Sequence, residues 1–419
     1  MVLRNKMQAI PLTHLPTLEH LEVRGRRVLL RVDFNDGGAA EGASAIPHRL
    51  EASLPTLQWL LERGARVGIL THRGRPQGRV VPSLSTAPLA AALSPLVGQP
   101  IGFVPDCIGR VAQQAMADLA PGAAVMLENT RFHLGEQLNQ APFVAQLAQV
   151  GEMLVNDAFA CAHRTQASTN GLAALLPTAL GRQFVQELRW LEQWRTAPAP
   201  RAMLVGGNAV LPKLELLQHC LSGTAKAEIL LLGGVVGQTF LAAKDLHLRQ
   251  SLIEFGAVES ARSLLAEAGV LGCRVHLPRD FVVADRATPG LVAGVRKPHQ
   301  LEPNETAQDL GPQTVAVWER ILQDTPSVLW FGSVGVWQQA AFRAGLEALA
   351  KALLARQRRQ PGVVLLAGNG LLQALTAGGL AAPLAAAGIA LSTGGGALQQ
   401  ALTSHSLPGV QAVARPAKP

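Results

Sequence analysis

The sequence predicts an α/β fold with two similar-sized domains, each built on a parallel sheet. Short apolar runs alternate with helix-length amphipathic segments, which is the pattern of a parallel sheet wrapped by helices. With 419 residues, 48% of them hydrophobic and 16% charged, the chain is long enough for two domains. Four of the five apolar runs of the first half lead into segments that contain Arg or His, whereas most of those in the second half lead into Gly. We therefore expect two Rossmann-like domains with different ligands.

The composition restricts the classes of partner. A formal net charge of +8 favours an anionic ligand. No Lys/Arg block is interleaved with aromatic residues, so we predict no nucleic-acid partner. No apolar run reaches the roughly 18 residues of a membrane span, and the first residues show no signal peptide, so we predict no membrane partner. The cysteines have no metal-ligand spacing, which favours reduced thiols in a cytoplasmic protein. They are Cys107, Cys161, Cys220 and Cys273.

The first half contains five predicted strands, at residues 28–30, 64–70, 101–103, 124–127 and 153–155. Helices are predicted at residues 49–63, where leucines recur on one stripe, and at about 84–97. The first strand ends in Arg31-Val-Asp33-Phe-Asn35. Asp33 and Asn35 alternate to one face of the chain there. Ligands of open α/β sheets bind beyond the carboxyl ends of the strands, so this segment is a candidate site.

Further strand ends in this half deliver basic side chains. The set is His72, Arg75, Arg131 and Arg164, with Arg49 at a helix start. Parallel strands end on one rim, so we expect these side chains to converge. Arginine forks match the geometry of carboxylate and phosphate, and a crowded cationic cluster is costly without an anion. The alternative is that each arginine pairs with a local carboxylate such as Glu128 or Asp157. For five such side chains the anion site is the stronger interpretation.

Four segments of this half resemble the successive signatures of the phosphoglycerate kinase family. They are Arg31-Val-Asp-Phe-Asn35, Thr71-His-Arg-Gly-Arg-Pro76, Leu127-Glu-Asn-Thr-Arg-Phe-His133 and Asn156-Asp-Ala-Phe-Ala-Cys-Ala-His-Arg164. The similarity continues in order from about residue 14 to about residue 410. The resemblance implies a site for 3-phosphoglycerate on the N-terminal domain.

The resemblance also implies individual roles in that site. Asp33 and Asn35 would contact the hydroxyl and carboxylate end of the glycerate, and Arg49 would approach the transferred phosphoryl group. The phosphate and carboxylate would be held by His72, Arg75, Arg131 and Arg164.

The domain boundaries follow from the same resemblance and from composition. Residues 183–194 have helical spacing and resemble the interdomain helix of the family, and Ala197-Pro-Ala-Pro200 ends this linker. We predict an N-terminal phosphoglycerate-binding domain at 1–182, the helix and linker at 183–200, and a C-terminal nucleotide-binding domain at 201–404. The tail, residues 405–419, has no helical period.

Apolar runs of the second half lead into glycines, which let backbone approach a nucleotide closely. A glycine run at 394–396 precedes a predicted helix at 397–402, whose N–H groups would face phosphate. The resemblance implies catalytic roles for Arg49, Lys213 and Gly395. It places the nucleotide on Gly207, Lys213, Gly234, Gly332, Gln338, Gly368, Asn369, Gly370 and Leu371.

Departures from the family pattern concentrate on this nucleotide side. Ala209 stands where the family has a lysine on the transferred phosphoryl group, and Gln338 where it has a ribose-binding Glu. Gly370 and Leu371 replace the magnesium-associated Asp and the following Thr. We assign no residue as a metal ligand. We expect weak help from Mg²⁺ and reduced activity, because phosphoryl transfer depends on positioning and charge stabilisation.

The resemblance implies a phosphoglycerate kinase. It would transfer a phosphoryl group reversibly between 1,3-bisphosphoglycerate and ADP, giving 3-phosphoglycerate and ATP, with Mg²⁺ accompanying the nucleotide. We expect a cytoplasmic monomer. The alternative is a weak or inactive paralogue that binds 3-phosphoglycerate as a regulatory or binding protein. A third interpretation is an α/β protein whose arginines are only structural.

Overall fold

A computed structural model describes residues 10–35, 46–223, 226–404 and 406–414. The strands are β1 Arg27–Arg31, β2 Arg66–Leu70, β3 Ile101–Val104, β4 Ala124–Leu127, β5 Met153–Asn156, β6 Thr178–Leu180, β7 Arg201–Val205, β8 Ile229–Leu232, β9 Arg274–His276, β10 Phe281–Asp285, β11 Gly294–Arg296, β12 Glu305–Leu310, β13 Ser327–Phe331, β14 Val363–Ala367 and β15 Ala390–Ser392.

The helices are α1 Ile46–Glu62, α2 Ala87–Val97, α3 Gly109–Asp118, α4 Leu134–Gln137, α5 Ala141–Ala148, α6 Arg182–Arg195, α7 Leu211–Ser222, α8 Gly234–Ala242, α9 Val258–Val270, α10 Pro312–Asp324, α11 Ala344–Arg359, α12 Asn369–Ala377, α13 Ala381–Ala386, α14 Gly395–Thr403 and α15 Pro408–Ala414. None of the helices in the described ranges is long and apolar enough to cross a membrane.

The chain divides into two compact units. Described residues up to Arg189, together with those from Ser404 onward, form the first unit, and Trp190–Thr403 form the second. The division falls within α6, the helix that the sequence predicts between the domains.

The first unit is built on a six-stranded parallel sheet in the order β3-β4-β2-β1-β5-β6. Along the central strand β1, Val28 and Leu30 join one buried cluster and Leu29 joins another. This alternation follows from the two-residue period of a strand, and it gives the sheet an apolar layer on each face. Helices α1 and α2 contribute to the first layer, and α3 and α5 to the second.

The second unit has its own six-stranded parallel sheet in the order β15-β14-β13-β7-β8-β9. The predicted α/β class with parallel sheets is therefore confirmed. A three-stranded antiparallel sheet, β11-β10-β12, adds a smaller core around Phe281 and Val283. The antiparallel sheet is not among the predicted elements, because β11 has three residues and no buried alternation.

The tail forms a short helix, so the expectation of a tail without helical structure is wrong for Pro408–Ala414. Val410 and Val413 are buried at i, i+3 spacing, which is too short a repeat to recognise as a period. Gly409 N–H donates to the carbonyl of Ala162 at 2.8 Å, and the helix packs within the first unit. Residues 405 and 415–419 of the predicted tail lie outside the described residues.

Candidate functional site

Asp33 lies at the centre of a charged cluster at the carboxyl end of the first sheet. Its carboxylate pairs with the guanidinium of Arg49, which also donates to the Asp33 carbonyl at 3.1 Å. The Nδ1 atom of His72 lies 3.8 Å from an Asp33 oxygen. Burial would raise the pKa of Asp33, but the charges of Arg49 and Arg31 and the backbone N–H of Asn35 outweigh it and hold the pKa well below the usual value. Asp33 is therefore an anion that orients surrounding donors.

Arg131 joins the same cluster from the end of β4. Its side chain is buried, at 3% exposure, and Nη1 donates to the carbonyl of Gly74 at 2.7 Å. The remaining edge, Nε and Nη2, is buried without a hydrogen-bond partner in the described part of the chain. Burial, together with the like charges on Arg164 and Arg31, lowers the pKa of Arg131 to about 10. A charged guanidinium edge is therefore available for an anion.

The imidazole ring of His72 is neutral in this cluster. Burial is the main reason that its pKa is well below the usual value, and the nearby arginines lower it further against the opposing effect of Asp33. The Nη2 atom of Arg31 lies 3.0 Å from Nδ1 of the ring. Because an arginine can only donate, Nδ1 is the acceptor and Nε2 carries the proton. The prediction that His72 is one of the cations is therefore wrong, because burial keeps the ring neutral.

Arg31 is a member of the cluster that the sequence analysis did not select. It is fully buried, and its Nε donates to the hydroxyl of Ser168 at 2.8 Å. Ser168 in turn donates to the buried carboxylate of Glu136 through its hydroxyl at 2.6 Å and its N–H at 2.9 Å. A basic residue at the end of an apolar strand was the available signal for Arg31. No local pattern marks Ser168 or Glu136.

The other predicted residues of this site lie at its edge. Arg164 and Arg75 are exposed. Arg164 donates to the Nε2 atom of His163 at 3.1 Å, and its charge acts on both His72 and Arg131. Arg75 has no hydrogen bond or ion pair with any described residue. The side-chain oxygen of Asn35 accepts the N–H of Gly74 at 2.9 Å, next to the carbonyl that Arg131 uses.

The alternative of local ion pairs fails for both proposed carboxylates. Glu128 accepts backbone N–H groups from Thr86 at 2.8 Å and Asn129 at 2.7 Å. Asp157 accepts the N–H of Phe184 at 3.0 Å, and burial raises its pKa to about 6. Neither forms an ion pair with an arginine within the described ranges. The predicted basic residues therefore do not pair with these two acids, and Arg49 and His72 lie against Asp33 instead.

In the second unit, four predicted glycines meet at the carboxyl ends of adjacent strands. Gly207, Gly234, Gly332 and Gly368 all have positive φ, between +56° and +105°. A Cβ at Gly332 would lie 2.7 Å from the carbonyl oxygen of Gly206, and one at Gly234 would lie 3.0 Å from the nitrogen of Gly207. Side chains are thus excluded both by conformation and by space. These four glycines therefore form a surface of backbone atoms at this edge of the sheet, the glycine surface.

Lys213 lies beside this glycine surface. It is buried, at 8% exposure, and its ammonium donates to the carbonyl of Ala209 at 2.5 Å. Burial lowers the pKa of Lys213 to about 8, with Glu254 opposing the shift. A Cβ at Gly207 would lie 3.1 Å from its Nζ atom. The retained lysine is therefore in contact with the glycine surface, while Ala209 offers only its backbone.

A pocket of about 510 Å³ opens on the same edge of the sheet. It is lined by Asn208, Gly234, Val235, Gln238, Gln250, Leu252, Thr306, Ala307, Gln308, Ser333, Val334, Gly335, Val336, Trp337 and Gln338. The predicted residues Gly234 and Gln338 are among them. None of these side chains is acidic or basic, so the pocket wall is neutral.

The remaining predicted site residues of this unit lie at two helix starts. Asn369 and Gly370 begin α12, and the side chain of Leu371 is fully buried in the core of the unit. Any contact between Leu371 and a nucleotide therefore falls to its backbone. Gly395 begins α14 with φ at +47°. The N–H groups of Gly395 and Gly396 have no acceptor among the described residues, which suits an anion.

The side chains of the second unit do not fit a magnesium ion. Mg²⁺ prefers carboxylate and other oxygen ligands, but no carboxylate lines the pocket and position 370 is a glycine. In the described ranges, His, Cys, Asp and Glu form two groups of three or more, both in the first unit. These groups are Asp33 with His72 and Cys161, and Asp106 with Cys107 and His133. Thiol and imidazole are poor partners for Mg²⁺.

The sequence model of one family, described as phosphoglycerate kinase, matches residues 18–405. The chain belongs to the phosphoglycerate kinase family. The phosphoglycerate kinase of Azorhizobium caulinodans is 41% identical over 95% of this chain and 99% of its own length. That of Thermomicrobium roseum is 39% identical over 94% of this chain and 98% of its own length. The family membership that the motifs predict is thus confirmed.

Solved structures of the family agree with the fold. The phosphoglycerate kinase of Pyrococcus horikoshii OT3 is similar with a TM-score of 0.81 at 27% identity, covering 95% of this chain and 98% of that one. The structure from Coxiella burnetii gives 0.75 at 29% identity, with the same coverage of both chains. Both phosphoglycerate kinase structures support the two-unit α/β architecture described above.

Proposed function

We propose that this chain is a phosphoglycerate kinase, which transfers a phosphoryl group reversibly between 1,3-bisphosphoglycerate and ADP. Membership of the family supports this proposal over that of an inactive binding protein. The observation that carries it is the buried edge of Arg131, whose Nε and Nη2 atoms lack a partner in the described ranges. Leaving such donors unpaired costs about 1–3 kcal/mol each, and an anion would recover that cost.

The proposed binding of the phosphoglycerate substrate rests on the charges around Asp33. A phosphate or carboxylate can accept two parallel hydrogen bonds from the free edge of Arg131. The neutral His72 would donate through Nε2, and Arg164 and Arg75 would add exposed positive charge around the ligand. Asp33 and Asn35 would accept from the glycerate hydroxyl or orient its carboxylate end. The affinity should fall with salt, because part of this charge is exposed.

The chemical step is a direct transfer. A β-phosphate oxygen of ADP attacks the phosphorus of the acyl phosphate, a new P–O bond forms, and the carboxylate of 3-phosphoglycerate leaves with the electrons of the old bond. Positive groups stabilise the charge on the phosphoryl group in flight. We assign this role to Arg49, Lys213 and the N–H groups at Gly395. Ala209 contributes no charge, so we expect a lower rate than a lysine there would give.

The nucleotide end rests on the glycine surface of the second unit. Gly207, Gly234, Gly332 and Gly368 leave room for ATP or ADP to lie against backbone. Gln338 would form one hydrogen bond with the ribose, as acceptor or as donor. The phosphates would lie near Asn369, Gly370 and Leu371. Magnesium would be carried on phosphate oxygens and water, since this chain supplies no carboxylate in the pocket.

The wider setting is part of the same proposal. We assign residues 1–182 to phosphoglycerate binding and 201–404 to nucleotide binding, joined by 183–200, with the tail at 405–419. We propose a monomer in the cytoplasm, with small molecules as its partners. The four cysteines are free and buried, which supports a reducing compartment.

A coupled assay tests the activity directly. ATP formation from 1,3-bisphosphoglycerate and ADP should be measurable and should require both substrates. A chain that binds 3-phosphoglycerate but shows no turnover, even after Ala209→Lys, would support the binding-protein alternative instead.

A further inference from the structure

Position 370 in the second unit faces two side-chain donors. Gly370 is the second residue of α12. A Cβ built on it would lie 3.5 Å from Nε1 of Trp337 and 3.8 Å from Oγ of Ser333. Where the family pattern has an acidic side chain, this chain therefore has an indole N–H and a hydroxyl around an open position.

Neither donor is used within the described part of the chain, where Trp337 Nε1 and Ser333 Oγ have no hydrogen-bond partner. The Trp337 ring is partly buried and packs against the core cluster of the unit, which fixes its orientation. Both residues line the 510 Å³ pocket. Two positioned donors of this kind suit a ligand that carries acceptors, such as phosphate oxygens.

The pocket also contains an unused acceptor. Gln238 is only 6% exposed, and its Nε2 donates to the carbonyl of Ala307 at 3.2 Å. Its Oε1 atom is buried with no partner among the described residues. A base amine or a ribose hydroxyl could donate to it. The pocket thus offers an acceptor at Gln238 and donors at Trp337 and Ser333, which matches a nucleotide with its phosphates toward position 370.

The acidic side chains near the pocket already accept hydrogen bonds from backbone N–H groups. Asp309 would contact a Cβ at the pocket residue Gly335, but its two oxygens accept the N–H groups of Leu310 and Gly345, each at 2.8 Å. Glu254 accepts the N–H of Val210 at 2.5 Å. Neither lines the pocket. No carboxylate of the described ranges is therefore placed there to hold a metal ion.

We propose that this chain binds the phosphates of its nucleotide through the neutral donors Trp337 Nε1–H and Ser333 Oγ–H, and not through a magnesium ion held by a protein carboxylate. This inference rests on the proposed function only in requiring that a nucleotide binds the pocket. It makes Trp337 and Ser333 specificity-determining residues. It also means that free and magnesium-bound ADP bind with similar affinity.

Calorimetry of ADP binding to the full chain tests the proposal. In excess EDTA and in millimolar Mg²⁺ the dissociation constants should agree within about threefold. Trp337→Phe keeps an aromatic ring but removes the indole N–H, and Ser333→Ala removes the hydroxyl. Each should weaken ADP in EDTA by about tenfold, as expected for a hydrogen bond to a charged group. Adenosine has no phosphate, so its affinity should change little in either variant.

Restoring an acidic side chain gives a second, independent test. In Gly370→Asp the new carboxylate should accept from Trp337 and Ser333, so ADP should bind more weakly in both buffers. In Gly370→Asp combined with Trp337→Phe the carboxylate loses its indole donor. Mg²⁺ should then strengthen ADP binding by about tenfold or more. Circular dichroism of each variant establishes that the fold is retained.

Three results would overturn the proposal in different ways. If EDTA weakens ADP binding to the native chain by more than about threefold, another group holds the metal, and the inference fails while the kinase function stands. If ADP does not bind at millimolar concentration in either buffer, the inference fails together with the nucleotide half of the proposed function. Equal loss of ADP and adenosine affinity in Trp337→Phe would show a packing role and also refute it.

Discussion

The ammonium of Lys213 donates a hydrogen bond to the backbone carbonyl of Ala209, 2.5 Å away. The family pattern has two lysines in this segment. Lys213 is the one that is retained, and Ala209, which replaces the other, accepts the hydrogen bond of Lys213 through its carbonyl. Ala209 itself is exposed, so a longer side chain fits there without repacking. Between Ala209 and Lys213 the positive charge is thus carried by the buried Lys213, whose pKa is lowered to about 8.

Ala209→Lys should raise kcat of the kinase reaction by about tenfold or more, a little over 1 kcal/mol of transition-state stabilisation. The added charge acts on the phosphoryl group in flight, so KM for the phosphoglycerate should change much less. The matched control is Ala209→Met, which has similar length without charge and should leave kcat near the native value. An equal gain in both variants would show that side-chain bulk, and not charge, was missing.

The stability of the chain should depend on the titration of Lys213. Its pKa is about 8 in the folded chain and 10.5 as a free side chain, so the unfolded state binds more protons between these pH values. The free energy of unfolding therefore gains up to roughly 3 kcal/mol from this group as pH rises from 8 to 10.5. Denaturant unfolding of Lys213→Met should lack this contribution when compared with the native chain. Parallel pH profiles for the two proteins would contradict the assignment.

Glu136 should stabilise the buried cluster by opposing the charge of Arg31 through Ser168. Glu136→Gln keeps the shape and one acceptor but removes the charge. Because both groups are buried, the free energy of unfolding should fall by about 1–3 kcal/mol. The control is Glu152→Gln, whose ion pair with Arg26 is exposed and should be worth about 0–1 kcal/mol. Similar losses of unfolding free energy in both variants would contradict a stabilising role for the buried contacts between Arg31, Ser168 and Glu136.

Much of this architecture could be predicted from the sequence, for a physical reason. Parallel strands end on one rim, so a strand list is enough to bring Asp33, His72 and Arg131 together. The same rule gathers the glycines after β7, β8, β13 and β14. These predictions needed only the order of apolar runs and the residues that follow them.

The features that the sequence missed depend on distant partners or on burial. Ser168 and Glu136 are separated by 32 positions and share no pattern. The neutral state of His72 follows from burial that a sequence does not display. The donors around Gly370 are a third case, because Trp337 and position 370 meet only in the folded unit.

The central claim is that the cluster around Asp33 binds 3-phosphoglycerate through Arg131. Titration calorimetry of 3-phosphoglycerate at low salt tests it with three proteins: the native chain, Arg131→Ala and Arg26→Ala. Arg26→Ala removes the same charge from the same unit, at an exposed position away from the cluster. The native chain and the Arg26 variant should bind with similar affinity, and Arg131→Ala should bind at least about tenfold more weakly. Absence of binding to the native chain at millimolar ligand, or equal binding by all three proteins, would contradict the account.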